Sequence, residues 1–192
     1  MRNSEASKAR ILEAAMDEFS AHGVAGARVD RIAAKANCNK NLIYIYFESK
    51  DKLFTTVLRE NLATVYEALP FTPDDLAGWA EHAFDYAMAH PQFMRLIAWF
   101  GLERSIANPT ERTAHWEGMV ASLMRAQQSG QVASTFDPRF ILTATISLVS
   151  AYTAVNPFGA SLNQQAIEHP EELRREITEA VKLIANARKE NQ

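Results

Sequence analysis

Apolar residues recur at the three- and four-residue spacing of amphipathic helices along most of the 192-residue chain, and strict alternation is rare. The first predicted helix spans about residues 4–22 and ends at Gly23. The second has an apolar face made of Val29, Ile32, Ala33 and Ala36. Asn39 is a favourable N-cap for a short third helix, and Ser49 for a long fourth helix over about residues 50–69. Two short helices joined by three residues after a longer helix predict a helix-turn-helix.

Prolines and capping residues mark the helices in the rest of the chain. Thr72 as N-cap and Pro73 at the first helical position predict the start of a fifth helix. The sixth to ninth helices are predicted to begin near Pro91, Pro109, Pro138 and Pro170. The apolar run of the eighth helix continues to about residue 155, and the ninth helix to about residue 188. The pattern therefore predicts an all-α fold of about nine helices.

The order of these helices divides the sequence into two predicted domains. Residues 1–50 form a three-helix N-terminal domain, with the helix-turn-helix at about residues 27–46. Residues 51–192 form a larger helical domain, and the fourth helix connects the two. The eighth helix is too apolar on all sides for a surface helix. The ninth carries an apolar stripe of Leu173, Ile177, Val181 and Ile184.

Six bulky residues, 42–47, lie between lysines in the third predicted helix. Ile43 and Phe47 share one face and should pack on the second helix, whereas Asn41 and Ile45 point the opposite way. The run therefore divides into a buried face and an exposed ridge. Such a ridge suits the DNA major groove, where an amide can bond base edges and apolar groups can contact thymine methyls.

Basic residues stand at three positions near helix N-termini, where the helix dipole disfavours cations: Arg28, Lys50 and Lys52. A DNA phosphate at such an N-terminus would be bound by free backbone amides and by the side chain together. Residues 1–55 carry nine Lys or Arg and seven Asp or Glu, and the remainder carries eleven and sixteen. The net charges are +2 and −5, so an anionic partner is expected at the N-terminal end.

Cysteine content and hydropathy limit the cellular location. The single cysteine, Cys38, excludes an internal disulfide framework and a cysteine-only zinc site, and it fits a reducing cytosol. We interpret it as a small apolar residue in the turn. The N-terminus has no apolar signal core, and no run of 18 apolar residues could span a bilayer. We therefore expect a cytoplasmic protein without a membrane partner.

The segment ILEAAMDEFSAHGVAGARVDRIAAKANCNKNLIYIYFESKDKLF resembles the DNA-binding part of the TetR family of bacterial transcriptional repressors. The resemblance covers about residues 4–65. It implies a nine-helix homodimer whose three-helix head binds a palindromic operator and whose larger domain binds an inducer. By resemblance, the residues that face DNA are Lys40, Asn41, Leu42, Tyr44, Ile45 and Tyr46, and those at phosphate-contacting positions are Arg28 and Lys50.

The turn of the helix-turn-helix departs from the family pattern. Where the family usually has Gly-Val-Ser, this chain has Asn37, Cys38 and Asn39. Asparagine tolerates the left-handed conformation that glycine would supply, and Asn39 can cap a helix as serine would. Ala27 stands where a threonine commonly starts the second helix, which predicts a weaker cap. Asn41 replaces a common small residue, so the departures concern the operator sequence and leave DNA binding intact.

The resemblance also implies a dimer and a ligand. Helices at about 138–155 and 170–188 of each subunit would form a four-helix bundle about a two-fold axis. The dimer would hold two recognition helices roughly 34–36 Å apart, one DNA turn. A cavity among helices five to eight would suit a flat or apolar inducer. The candidate lining residues are Trp79, His82, Tyr86, Trp99, Trp116, Met119 and Tyr152.

Two other classes of protein remain open. One is a sequence-nonspecific or ligand-independent DNA-binding or adaptor protein. The other is a helical enzyme, although the sequence has no Ser-His-Asp spacing, no Gly-rich phosphate loop and no His-Glu-x-x-His. His82 and His90 are about 12 Å apart along a helix, too far to share one metal ion. We therefore expect no catalytic residues, metal or cofactor.

Overall fold

The structure, a computed structural model, describes residues 2–103, 106–163 and 167–187. These residues form ten α-helices, nine of which have seven or more residues, and one 3₁₀ turn. The helices are α1 (Arg2–Gly26), α2 (Val29–Lys35), α3 (Lys40–Phe47), α4 (Lys50–Ala68), α5 (Leu76–Ala89), α6 (Pro91–Leu102), α7 (Thr110–Gln128), α8 (Pro138–Val149), α9 (Gly159–Leu162) and α10 (Pro170–Asn186). The predicted all-α class of about nine helices is confirmed.

The chain packs as two compact units. The first comprises Met1–Thr64 with Gln92–Pro109, and the second comprises Val65–Pro91 with Thr110–Gln192. The packing places α6 with the N-terminal helices, although it is far from them in the sequence. This division therefore differs from the predicted domain boundaries at residues 50 and 51.

The first unit is organised around α1. Phe19 of α1 meets Phe54 of α4 edge to face, with 5.1 Å between ring centroids. Fully buried aliphatic residues from four helices complete this core, and they are Ile11, Ile32, Ile43, Leu53 and Leu58. At Gly23 the backbone of α1 leaves helical geometry, with φ of 65°, and one further turn runs to Gly26. The predicted end of the first helix at Gly23 is thus a kink.

In the second unit, α10 packs against α5 and α8. Its buried residues are Leu173, Ile177, Val181 and Ala185, which follow a four-residue spacing. Ile184, which we predicted in the stripe, is only partly buried because the buried face continues through Ala185. Much of the apolar stripe of α10 is therefore covered within one chain.

Two predicted helix boundaries are wrong. Thr72 and Pro73 lead into a 3₁₀ turn, Pro73–Asp75, and α5 begins only after this turn. Asp75 is the N-cap of α5, and its carboxylate accepts a hydrogen bond from the Gly78 N–H at 3.0 Å. The eighth helix ends at Val149, not near residue 155. None of the described helices is long and apolar enough to cross a membrane.

A turn and a close backbone contact follow the end of α8. The Ser150 hydroxyl donates to the Ile146 carbonyl at 2.8 Å, and the chain then turns and enters α9. A Cβ at Gly159, the first residue of α9, would lie 1.9 Å from the Ala151 carbonyl oxygen. Only glycine allows the two backbone segments to approach so closely.

Candidate nucleic-acid interface

The recognition helix α3 has one buried face and one exposed face, as its sequence predicts. Ile43 and Phe47 are 2% and 4% exposed and belong to the core. Ile45 is 73% exposed and Tyr44 is 42% exposed, and Asn41 is exposed beside them. Large apolar side chains on a surface that also carries an amide mark a binding surface, and α3 has the size that the DNA major groove accepts.

The turn before α3 has the conformation that its asparagines predict. Asn37 has a φ of 50°, in the left-handed region. The Asn39 side chain accepts a hydrogen bond from the Asn41 N–H at 2.8 Å, which caps α3. The Cys38 N–H donates to the Ala33 carbonyl at 3.0 Å, and the Cys38 side chain is partly buried. The turn therefore holds α3 firmly against α2.

The N-terminus of α2 is capped by a residue of another helix. Arg28 is its N-cap and makes no side-chain cap, but the Arg28 N–H donates to Glu18 Oε1 at 2.8 Å. Arg31 Nε donates to the same carboxylate at 2.8 Å. Burial alone would raise the pKa of Glu18, but the hydrogen bonds from Arg31 and the Arg28 amide lower it below its ordinary value. Glu18 thus replaces the cap that Ala27 lacks.

The two predicted phosphate-contacting residues, Arg28 and Lys50, lie close together in space. The Lys50 ammonium donates to the Ala27 carbonyl at 3.3 Å, and Ala27 immediately precedes the exposed Arg28. Ser49 caps α4 by accepting a hydrogen bond from the Lys52 N–H at 3.1 Å. This contact brings the N-terminal residue of α4 to the N-terminus of α2. A single DNA strand could be bound at both helix ends.

The other candidate DNA contacts are partly engaged within the unit. Lys40 Nζ lies 2.8 Å from Asp30 Oδ1 of α2, and hydrogen bonding to Asp30 raises the pKa of Lys40. The Tyr46 hydroxyl lies 3.0 Å from the Ser4 hydroxyl. Leu42 is partly buried. These contacts set the directions of the Lys40 and Tyr46 side chains before DNA is present.

The seven predicted ligand residues are divided between the two units. Trp79 and His82 line a cavity of about 250 Å³ with residues from the end of α4 and the turn that follows it. Tyr86 stacks on His90, with 3.9 Å between ring centroids, and Tyr152 lies in the turn after α8. Trp99 is in the first unit, where its indole N–H donates to the Ser20 carbonyl at 3.3 Å. The set is therefore spread over both units.

The remaining two, Trp116 and Met119, lie on α7 beside an aromatic cluster that sequence reasoning missed. Tyr66, near the end of α4, stacks on His115 with 3.6 Å between ring centroids and 10° between planes. Trp116 follows His115, and the Arg112 guanidinium lies 5.6 Å from the Trp116 ring centroid. The sequence does contain a signal for this cluster. Tyr66 lies four residues after the buried Leu62 on α4 and so shares its face of the helix.

No group of three or more His, Cys, Asp or Glu side chains in the described residues is placed to hold a metal ion. The candidate surfaces described above consist of aromatic, apolar, amide and basic groups. Of these, the exposed ridge of α3 and the adjoining ends of α2 and α4 have the composition that nucleic-acid binding requires.

Comparisons with known proteins agree with this geometry. The family model of the bacterial regulatory proteins of the tetR family matches residues 11–57, and that of the tetracyclin repressor-like C-terminal domain matches residues 75–182. The HTH-type transcriptional repressor SCO4008 of Streptomyces coelicolor is 42% identical over 149 residues, which cover 74% of this chain and 78% of that protein.

Solved structures extend the likeness to the whole fold. The transcriptional regulator SCO4942 of Streptomyces coelicolor superposes with a TM-score of 0.81 at 33% identity, over 92% of this chain and 96% of that one. FadR of Bacillus subtilis, in complex with stearoyl-CoA, shares the fold with a TM-score of 0.64 at 16% identity, over 92% and 96%. The chain therefore belongs to the TetR family of helix-turn-helix transcriptional regulators, which bind DNA and are not enzymes.

Proposed function

We propose that this regulator is a repressor that binds a palindromic operator as a homodimer and is released by a small molecule. The observation that supports it most is the division of α3, in which Ile43 and Phe47 are buried while Asn41, Tyr44 and Ile45 are exposed. The exposed Ile45 side chain contributes little to the packing of the helix-turn-helix itself. Its exposure is expected if it contacts a partner such as DNA. The name of the relative SCO4008, a repressor, supports the direction of regulation.

The proposed DNA contacts fall into two classes. Asn41, Tyr44 and Ile45 read base edges in the major groove, where the amide can pair with adenine and Ile45 can contact thymine methyls. Arg28 and Lys50 hold phosphates from the ends of α2 and α4 and fix the register without reading sequence. Lys40, Leu42 and Tyr46 flank the ridge and complete the predicted contact set. Lys40 would exchange its ion pair with Asp30 for a phosphate oxygen.

The proposed dimer uses the faces of α8 and α10 that the chain itself leaves exposed. Phe140 of α8 is 54% exposed and Leu183 of α10 is 65% exposed. Because Leu173, Ile177 and Val181 of α10 are already buried within the chain, the proposed bundle of α8 and α10 forms on the other side of these helices. A homodimer would place two recognition helices on two half-sites, whereas a single recognition helix would bind one half-site weakly.

The proposed ligand acts through the second unit. A ligand that binds the free form better than the DNA-bound form lowers operator affinity by that same ratio, a coupling of about 1–3 kcal/mol. The coupling is reciprocal, so operator DNA must weaken ligand binding equally. FadR, which has the same fold, was solved with stearoyl-CoA, and this supports a small-molecule site in a fold of this type. We place the protein in the cytoplasm, with its DNA.

A footprint tests this proposal. The purified protein is titrated on the DNA upstream of its own gene and on a shuffled fragment of equal length, followed by nuclease digestion. A two-fold symmetric protected segment that appears at lower protein concentration on the natural fragment supports operator binding by a dimer. Equal protection of both fragments would contradict it and indicate a nonspecific DNA-binding protein.

A further inference from the structure

One buried hydroxyl in the second unit has no partner. Among the buried side-chain nitrogen and oxygen atoms of the described residues, Tyr66 Oη alone makes no hydrogen bond. Nearly all buried polar groups in folded proteins are hydrogen-bonded, since an unpaired one costs free energy, and exceptions mark functional sites or bound water. The hydroxyl therefore calls for an acceptor or donor from outside the chain.

The protonation states around Tyr66 make it a hydrogen-bond donor. Burial raises the pKa of the Tyr66 phenol, and the positive charge of Arg112 opposes this without reversing it, so the phenol keeps its proton at neutral pH. Burial also lowers the pKa of His115, which stacks on Tyr66, so that the imidazole is neutral. The charge next to the hydroxyl comes from Arg112.

Two aromatic rings and one guanidinium of α7 belong to the same cluster as Tyr66. Trp116 of α7 carries the Arg112 guanidinium above it at 5.6 Å, and the His115 and Trp116 ring centroids are 5.8 Å apart. Met119, one turn farther along α7, is buried. A ligand that binds at this cluster would contact aromatic groups, an O–H donor and a positive charge. A guanidinium and a neutral O–H donor are both groups that bind a carboxylate.

We propose that the cluster of Tyr66, Arg112, His115 and Trp116 binds a planar aromatic carboxylate, and that this compound is the inducer. The carboxylate accepts the Tyr66 O–H and pairs with Arg112, and the ring packs against Trp116 and His115. The inference that the compound induces rests on the proposed function. Binding itself does not, because it is a property of the second unit alone.

Calorimetric titration with defined probes tests the binding. Benzoate, cinnamate and 2-naphthoate are titrated into the full-length protein, each beside its uncharged amide. We expect at least one carboxylate to bind, its amide to bind at least about tenfold more weakly, and Tyr66→Phe and Arg112→Met each to weaken the carboxylate about tenfold or more. The control, Arg125→Met on the same helix, should bind as the wild type does. Failure of all three carboxylates to bind, or equal binding of acid and amide, overturns the proposal.

The stability of the ligand-free protein gives a second readout. Removing an unpaired buried hydroxyl relieves a cost, so Tyr66→Phe should melt at the wild-type temperature or above it. A clearly lower melting temperature would show that the hydroxyl has a partner in the free protein, and this would also overturn the proposal.

Operator binding separates this inference from the proposed function. Tyr66→Phe should bind operator DNA as the wild type does and should no longer be released by the carboxylate that binds. If a carboxylate binds through Tyr66 and Arg112 but does not release DNA, the site stands and the inducer role fails. If DNA is bound specifically and no carboxylate binds, the site fails and the DNA-binding function stands.

Discussion

Trp99 of α6 lies directly against the backbone of Gly23 at the kink of α1. A Cβ at Gly23 would lie 2.7 Å from Trp99 Cε3, and Gly23 has a positive φ of 65°. The indole N–H also donates to the Ser20 carbonyl one turn earlier, at 3.3 Å. Two independent constraints, contact with Trp99 and backbone conformation, therefore require glycine at position 23. The contact anchors α6 to the helix on which the DNA-binding helices are built.

Gly23→Ala should destabilise the protein by about 1–3 kcal/mol, because the new methyl meets the Trp99 ring and the backbone is strained. Urea unfolding measures the change. Gly118→Ala is the matched control, since Gly118 lies within α7 and a Cβ there would meet nothing within 4 Å. That substitution should stabilise by up to about 1 kcal/mol. Equal effects of the two substitutions would contradict the Trp99 contact.

Glu18→Gln should weaken the N-terminus of α2 by about 1 kcal/mol at pH 7, because the amide keeps an acceptor oxygen but loses the charge that strengthens these hydrogen bonds. The Glu18 side chain is 10% exposed and receives hydrogen bonds from Arg31 and the Arg28 amide, which lower its pKa. A carboxyl with a lowered pKa stabilises the fold above its unfolded pKa, and this stabilisation is lost as the pH falls through the lower folded value.

The difference in unfolding free energy between wild type and Glu18→Gln should therefore be full at pH 7 and shrink below pH of about 4. Denaturant titrations at pH 7 and at a pH below about 4 measure this difference. Glu60→Gln, at an exposed position of α4, is the control and should show a difference near zero at either pH. A Glu18→Gln effect that does not change with pH would argue against the carboxylate as the cap.

Ile43 and Ile45 are two residues apart in α3 and should respond in opposite ways to truncation. Ile43→Ala should cost about 2–5 kcal/mol of stability, because Ile43 is 2% exposed in the core. Ile45→Ala should change stability by less than about 0.5 kcal/mol, because Ile45 is 73% exposed. If Ile45 reads bases, its loss should reduce the preference for operator over random DNA by about 1–3 kcal/mol.

Thermal unfolding and competition binding with random DNA give the two measurements for this pair. An Ile45→Ala variant with unchanged preference for the operator would show that the exposed ridge of α3 does not read sequence at this residue. An Ile43→Ala variant of wild-type stability would show that α3 is not packed as described.

Phe140→Glu should separate the subunits, because burying a charged residue in an apolar interface is unfavourable and each subunit loses about 2–3 kcal/mol of apolar burial. Sedimentation velocity across a concentration series measures the association. Leu102→Glu, on α6, is the control: Leu102 is 72% exposed but lies outside the proposed bundle. A dimer that survives Phe140→Glu and dissociates with Leu102→Glu would place the interface elsewhere.

Local signals predicted the DNA-binding end of the chain in detail. The Asn39 and Ser49 caps, the left-handed Asn37 and the buried pair Ile43 and Phe47 all depend on neighbours within a few residues. Such features follow from side-chain chemistry and helical periodicity, which the sequence displays directly.

Features that depend on distant contacts could not be predicted in the same way. The contact between Trp99 and Gly23 joins residues 76 positions apart, and its hydrogen bond to Ser20 joins residues 79 apart. Glu18 caps α2 from α1 and so compensates for Ala27, where only a weaker cap was predicted. These contacts are set by tertiary packing, which a local pattern does not record.

Salt dependence of operator binding tests the central claim, that Arg28 and Lys50 hold phosphates while α3 reads bases. Affinity is measured at several salt concentrations for wild type, for Arg28→Ala with Lys50→Ala, and for Lys182→Ala, which removes one positive charge from α10 outside the proposed DNA surface. Circular dichroism confirms that each variant is folded. We expect the double variant to reduce the slope of log affinity against log salt by roughly 3–4 for a dimer. Lys182→Ala should leave the slope unchanged. A double variant with the wild-type slope and affinity would contradict the claim.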